Sequence, residues 1–110
     1  MSLLKNNINN LRANQHSGAL VIDNMKDINS LRVEIDQLDE QLWEIIGKRV
    51  DVAREIGEWK RAHGEPIMQP KRYQQVLDQC LEYGKRYGLS ETLIREVMEA
   101  LHEESVRVES

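Results

Sequence analysis

The chain has 110 residues, of which 31% are charged and 40% apolar, and its formal net charge at pH 7 is −4. These values fit one small globular domain. The negative charge argues against a nucleic-acid surface that depends on bulk positive charge. No stretch approaches the roughly 20 apolar residues of a membrane span, and we expect no secretory leader. The single cysteine, Cys80, excludes an internal disulfide and is typical of a cytoplasmic protein.

Residues 1–26 differ in composition from the rest of the chain. Asparagine residues dilute the apolar ones here, and Ser17 and Gly18 interrupt any helical period. We predict a tail or linker over 1–26, followed by one helical domain over 27–110.

The first predicted helix is unusually long. It begins near Asp27 or Ser30, which are good N-cap residues, and ends near His63, where Gly64 can take a left-handed C-cap. About 35 residues make a rod of roughly 50 Å, whereas a compact 80-residue domain has a radius of gyration of about 12 Å. We therefore predict a partner helix, most simply from a second copy of the chain. Apolar residues recur at the three-four spacing of a helix seam at Leu31, Ile35, Leu38, Leu42, Ile45, Val52, Ile56 and Trp59.

Two shorter helices follow. The second is predicted to open at Pro70 and to end between Gly84 and Gly88, and the third to open after the N-cap Ser90. The apolar stripe of the second helix is Tyr73, Val76, Leu77, Cys80 and Leu81, and that of the third is Ile94, Val97, Met98, Leu101, Ser105 and Val108. Strand alternation is not visible, so the fold class is all-α with three helices.

Two cations lie on the apolar stripe of the long helix. Arg49 and Lys60 share one helix face, because they are eleven residues apart. Cations that point toward a core are costly unless an anion meets them. Arg72 on the second helix, with Ser105 and Glu109 on the third, supplies further polar groups, and together they predict a pocket for a small dianion.

Structural explanations of these residues remain open. Arg49 could extend its stem along the seam with its charge in water, or form an ion pair. Lys60 could favour the negative end of its helix. Ser105 could bond back to its own helix, and Glu109 could be solvated. Gly47 and Gly57 each destabilise the helix by roughly 1 kcal/mol relative to alanine. Close approach of two backbones at a dimer seam would explain why glycine occupies these positions.

Other chemistries fit the chain poorly. His16, His63 and His102 are too scattered for a metal cluster, and Cys80 lies on an apolar stripe as a core residue would. A glycine-rich phosphate loop and a catalytic-triad motif are also not visible. We therefore expect no metal and no cofactor, and a reaction catalysed by positioning and electrostatics.

The chain resembles the all-helical chorismate mutases over about residues 27–110. The resemblance is carried by LRVEIDQLDEQLWEIIGKRVDVAREIGEWK (31–60), PIMQPKR (66–72) and EESVRVE (103–109). It implies an intertwined homodimer whose long first helices pack together. It also implies the substrate chorismate, a dicarboxylate that rearranges to prephenate in one pericyclic step of phenylalanine and tyrosine biosynthesis.

The resemblance also implies roles for individual residues. Arg32 would reach across from the other subunit to a carboxylate, since it lies 17 residues, roughly 25 Å, from Arg49 on the same helix. Arg49 and Ser105 would bind carboxylates, with Arg72 at the pocket rim. Lys60 would contact the ether oxygen and a carboxylate.

Three positions depart from some relatives. Glu109 stands where some carry glutamine as the second donor to the ether oxygen, and an ionised glutamate cannot donate. We therefore expect activity to fall as the pH rises. Tyr73 stands where some use glutamate to hold the ring hydroxyl. Gln69 stands where some have aspartate, although a backbone N–H there could still bind the substrate.

Alternative functions stay open on the sequence. Isochorismate-pyruvate lyases share the fold and much of the pocket, and loss of the hydroxyl-binding carboxylate could suit their substrate. The chain could instead be a non-catalytic helical dimerisation or regulatory module. The Asn-rich segment also suggests that the domain is fused to, or associated with, a DAHP synthase.

Overall fold

The computed structural model describes residues 25–110, and this part of the chain is helical. It contains α1 (Ile28–His63), α2 (Pro70–Arg86) and α3 (Glu91–Glu109). This confirms the prediction of three helices with a very long first one, which has 36 residues. The predicted tail or linker at 1–26 lies almost entirely outside the described residues. The chain divides within α1, after Leu42, into two compact units.

The helices begin at the predicted capping residues. The Asp27 carboxylate accepts the Ser30 backbone N–H at 2.8 Å, and this bond lowers the pKa of the Asp27 carboxyl. Ser90 caps α3, where its hydroxyl accepts the Leu93 backbone N–H at 3.1 Å. Pro70 is the first residue of α2, a position at which proline removes no helical hydrogen bond. Each start thus follows from local sequence.

The ends of α1 and α2 follow the same logic. Gly64 comes directly after α1 and has φ 66°, and Gly88 follows α2 with φ 76°. These left-handed conformations cost glycine little, which is why helices commonly end at one. The predicted boundaries at His63 and near Gly84 to Gly88 are confirmed.

The buried core of the second unit, Trp43–Ser110, lies between α2 and α3. Its centre is formed by Leu77 and Leu81 of α2 with Ile94 and Met98 of α3. Further side chains that pack against this centre are Tyr73, Val76, Cys80 and Leu101. The predicted stripe of α2 is therefore confirmed, as is that of α3 at Ile94, Met98 and Leu101, whereas Val97 is 46% exposed. Val97 lies some 100° around the helix from the buried Met98, so the two side chains leave α3 in different directions.

The apolar stripe of α1 is exposed within a single chain. In the second unit, Ile45, Val52 and Trp59 are 63%, 52% and 54% exposed, whereas Ala53 and Gly57 are buried. In the first unit, described over 25–42, Leu31 and Ile35 on the same stripe are also exposed. Contiguous exposed apolar side chains of this kind are typical of an interaction surface. None of the helices described over 25–110 is long and apolar enough to cross a membrane.

Candidate active site

A pocket in the second unit receives side chains from all three helices. Its volume is about 810 Å³, and it is lined by α1, by the segment before α2, and by one face each of α2 and α3. This volume lies in the range of small-molecule sites. The pocket brings together six of the seven residues that were predicted to form the site: Arg49, Lys60, Gln69, Arg72, Ser105 and Glu109.

The lining of the pocket is cationic although the whole chain is acidic. Four of its side chains carry a positive charge and one carries a carboxyl group, in a chain of net charge −4. The positive side chains are Lys48, Arg49, Lys60 and Arg72, and the carboxyl belongs to Glu109. A pocket with this balance attracts small anions, and its low-dielectric walls strengthen the attraction.

Arg49 is held in place by a side chain of α3. Its Nη1 donates to the Ser105 hydroxyl at 2.9 Å, and the pair is partly buried. That bond uses one of the five N–H donors of a guanidinium, whose planar fork matches a carboxylate. The structure thus joins α1 to α3 through two groups that the sequence had assigned to the same ligand.

Lys60 and Glu109 form an ion pair inside the pocket. The Lys60 ammonium donates to the Glu109 carboxylate at 2.5 Å and to the Ile67 backbone carbonyl at 2.7 Å. The Lys60 and Glu109 side chains are only 13% and 9% exposed. Glu109 is therefore not solvated, and Lys60 does more than favour the end of its helix. The pair places an ammonium and a carboxyl side by side facing a cavity.

Gln69 and Arg72 lie at the edge of the pocket. The Gln69 side-chain amide donates to the Pro66 carbonyl at 3.2 Å, and Arg72 donates to the Gln75 side chain at 3.2 Å. Arg72 is exposed, as a residue at the rim would be. Arg32, the remaining predicted residue, lies in the first unit, where it is exposed on α1.

Sequence reasoning missed His102 as a pocket residue. Its ring packs against that of Tyr73, with centroids 4.0 Å apart and planes inclined by 32°, and both side chains line the cavity. The spacing held a signal, because His102 precedes Ser105 by three residues and Glu109 by seven, so all three share one face of α3.

The chain belongs to the chorismate mutase type II family, whose model matches residues 31–110. It is 34% identical to the 4-amino-4-deoxychorismate mutase of Streptomyces venezuelae over 76% of this chain and 81% of that protein. It is 33% identical to the T-protein of Haemophilus influenzae over 74% of this chain. With the chorismate mutase of Methanocaldococcus jannaschii, it shares 26% identity over 66% of this chain and 74% of the relative.

The relatives differ in length and in named substrate. The chain spans only 22% of the T-protein, and 18% of the bifunctional chorismate mutase/prephenate dehydratase of Aquifex aeolicus, to which it is 34% identical. The shared domain therefore occurs both in short proteins and as one part of longer ones.

Proposed function

We propose that the chain converts chorismate to prephenate, as an isomerase of aromatic amino-acid biosynthesis. The observation that carries the proposal is the meeting of two polar pairs in one cationic pocket, Arg49 with Ser105 and Lys60 with Glu109. These are four of the positions to which the family resemblance assigns substrate contacts. In the reaction, the ether C–O bond of chorismate breaks while a new C–C bond forms, without a covalent enzyme intermediate.

The first contribution of the pocket is to hold the reactive conformer. Arg49, Ser105 and Arg72 would bind the two carboxylates and thereby bring the ends of the forming C–C bond together. Positioning of this kind removes much of the ordering cost from the barrier. The cationic lining supports this role, since the same groups lie at the mouth and wall of the cavity.

The second contribution is electrostatic and acts on the ether oxygen. Negative charge builds on this oxygen as the C–O bond breaks, and Lys60 and Glu109 would stabilise it more in the transition state than in the ground state. The Glu109 carboxyl must carry a proton to donate. Substrate must therefore replace the Lys60–Glu109 contact, and Glu109 must take up a proton before it can donate.

Replacing Glu109 by glutamine is expected to flatten the pH profile. Turnover by the parent protein should fall as the pH rises, because the carboxyl loses the proton that it donates, whereas an amide donates at any pH. Initial rates of chorismate depletion, measured across pH for the parent and for Glu109→Gln side by side, test this. The cations that share the pocket are Lys48, Arg49, Lys60 and Arg72, and His102 is its other titratable side chain.

A His102→Gln variant separates the contribution of the histidine. It should keep the pH dependence that Glu109 causes. A Glu109→Gln variant with the full pH dependence of the parent would overturn the assignment of Glu109 as proton donor.

The ring substituent distinguishes chorismate from the alternative substrates, 4-amino-4-deoxychorismate and isochorismate. An amino group in place of the hydroxyl is cationic at neutral pH, and a pocket with four cations and one paired carboxyl disfavours it. This observation favours chorismate over 4-amino-4-deoxychorismate, although the Streptomyces relative is named for the latter. Separate incubations with chorismate, 4-amino-4-deoxychorismate and isochorismate decide the substrate. Salicylate and pyruvate from isochorismate would instead identify a lyase.

We propose that a second copy of the chain packs against the exposed apolar stripe of α1. Ile45, Val52 and Trp59 lie exposed on this stripe, and burial of apolar surface drives association. In the proposed homodimer, Arg32 of one copy would complete the pocket of the other, as the family resemblance implies.

Mixing two inactive variants is expected to restore activity. Arg32→Ala and Arg49→Ala each damage every pocket of their own homodimers. In a mixed dimer, one pocket combines an intact Arg49 with an intact Arg32, so random exchange should recover about a quarter of the parental rate, given twofold symmetry. Rates are measured after denaturing and refolding the variants together, with each refolded alone as the control. No gain on mixing would show that Arg32 does not act across subunits.

Association with a second enzyme is also proposed. The domain occurs within longer chains such as the T-protein and the prephenate dehydratase fusion, and the Asn-rich 1–26 segment suggests a linker. A DAHP synthase is the proposed partner, in the cytoplasm. Co-purification from native extract, followed by identification of that enzyme, tests this.

A further inference from the structure

The backbone of Glu109 is fastened to α1 independently of its side chain. Arg61 Nη1 donates to the Glu109 backbone carbonyl at 2.5 Å. Gly57 lies against the same residue, since a Cβ added at Gly57 would stand 2.7 Å from the Glu109 Cα and 2.8 Å from its carbonyl oxygen. Both contacts are made to main-chain atoms, which cannot move aside as the tip of a flexible side chain can.

These contacts exceed what the end of a helix requires. The last carbonyls of any helix lack intrahelical partners, and a nearby cation stabilises them. Arg61 alone would fit that explanation. The absence of a side chain at the buried Gly57 is a separate feature. It lets α1 approach the turn of α3 that carries Glu109, the residue that forms an ion pair with Lys60. Two independent contacts thus converge on a residue whose carboxyl faces the pocket.

We propose that Gly57 and Arg61 form a backbone clamp, which consists of their two contacts to main-chain atoms of Glu109. The clamp sets the position of the Glu109 carboxyl relative to Lys60. Both are positioning residues, since neither needs to touch substrate. The inference rests on the proposed function, in which Glu109 donates to the ether oxygen. A displacement of about 1 Å at such a group can cost as much as 10²-fold in rate.

Alanine at Gly57 tests the clamp, and alanine at Gly47 provides a matched control. Both glycines lie within α1, and both substitutions add one methyl group and raise the helix propensity by the same amount. Within its own chain, a Cβ at Gly47 meets nothing within 4 Å. We expect Gly57→Ala to lower kcat about 10- to 100-fold, in keeping with a misplaced catalytic group. KM should change little, since the atoms nearest the added Cβ belong to Glu109 and not to Arg49, Ser105 or Arg72, which would bind the carboxylates. Gly47→Ala should match the parent in both.

Substitutions of Arg61 test the other half of the clamp. Arg61→Ala is expected to lower kcat with little change in KM, and Arg61→Lys to recover part of the loss, because an ammonium can also donate to the carbonyl. Arg54→Ala is the control, since Arg54 is an exposed arginine of the same helix that pairs with Asp51. Amide hydrogen exchange of residues 106–110 should accelerate in Arg61→Ala and remain unchanged in Arg54→Ala.

The outcomes separate the clamp from the proposed function. Equal kcat values for Gly57→Ala and Gly47→Ala, or unchanged exchange over 106–110 in Arg61→Ala, would overturn the clamp. If Gly57→Ala does not fold, the Arg61 variants decide. If the parent protein converts none of the three substrates, the proposed function fails, and hydrogen exchange then decides alone whether the clamp holds Glu109.

Discussion

Replacing Lys60 by alanine is expected to lower chorismate turnover about 10²- to 10³-fold, the loss that follows removal of one donor to a developing oxyanion. The same change leaves the Glu109 carboxyl in a site where it is 9% exposed, without the ammonium that lies 2.5 Å away. Breaking a buried pair in this way costs roughly 3–5 kcal/mol when the remaining group stays charged. Activity and the free energy of unfolding should therefore fall together, as measured by chorismate depletion and by denaturant unfolding.

A double variant separates these two losses. Lys60→Ala combined with Glu109→Gln removes the unpaired charge, so it should regain stability relative to Lys60→Ala alone, yet remain inactive. Lys60 could instead act only by stabilising the negative end of its helix, and Lys85→Ala is the control for that explanation. Lys85 also lies in the last turn of a helix but does not line the pocket. A Lys60→Ala protein as active as the Lys85→Ala protein would exclude Lys60 from the chemistry.

Replacing Arg49 by alanine is expected to lower kcat/KM about 10²- to 10⁴-fold while changing stability little. The guanidinium would supply two parallel charged hydrogen bonds to a substrate carboxylate, and each hydrogen bond to a charged group contributes about 1.5–3 kcal/mol. Within the protein, the described bond that is lost is the one to the Ser105 hydroxyl at 2.9 Å, a cost of about 1 kcal/mol. Steady-state kinetics and thermal unfolding measure the two effects.

Two companion variants define the cause of the Arg49 effect. Arg49→Lys keeps the charge without the planar fork, so it should recover only part of the activity. Arg54→Ala removes an exposed arginine from the same helix and should behave as the parent. If Arg49→Ala keeps the parental kcat/KM, the pocket is not catalytic, and the chain is better described as a helical interaction module.

Local sequence determined where the helices begin and end. Asp27 and Ser90 cap the helices that follow them, and Gly64 ends α1, because each acts on backbone groups only a few residues away. The core stripes of α2 and α3 followed from spacing alone. Val97 was the exception, since spacing defines a stripe without showing which of its edges the neighbouring helix covers.

The candidate site could be predicted from residue types and from the family resemblance, but not from spacing alone. Arg49 and Lys60 each fitted a surface role as well as a binding role, and Glu109 fitted solvation. The pairing of Lys60 with Glu109 joins residues 49 positions apart. The contact between the tilted rings of Tyr73 and His102 likewise depends on how α2 meets α3.

The sequence by itself determined the three helices, the cationic residues and the family to which the chain belongs, because capping, periodicity and motif spacing act within a few turns of one helix. Only the tertiary structure decided which charges are buried together and why Gly57 has no side chain. Gly57 had been expected at a dimer seam, whereas its near neighbour is Glu109 of its own chain. Contacts of this kind depend on the distance between helices. A shift of a few tenths of an ångström in that distance makes or breaks them, and the sequence of one helix alone does not encode it.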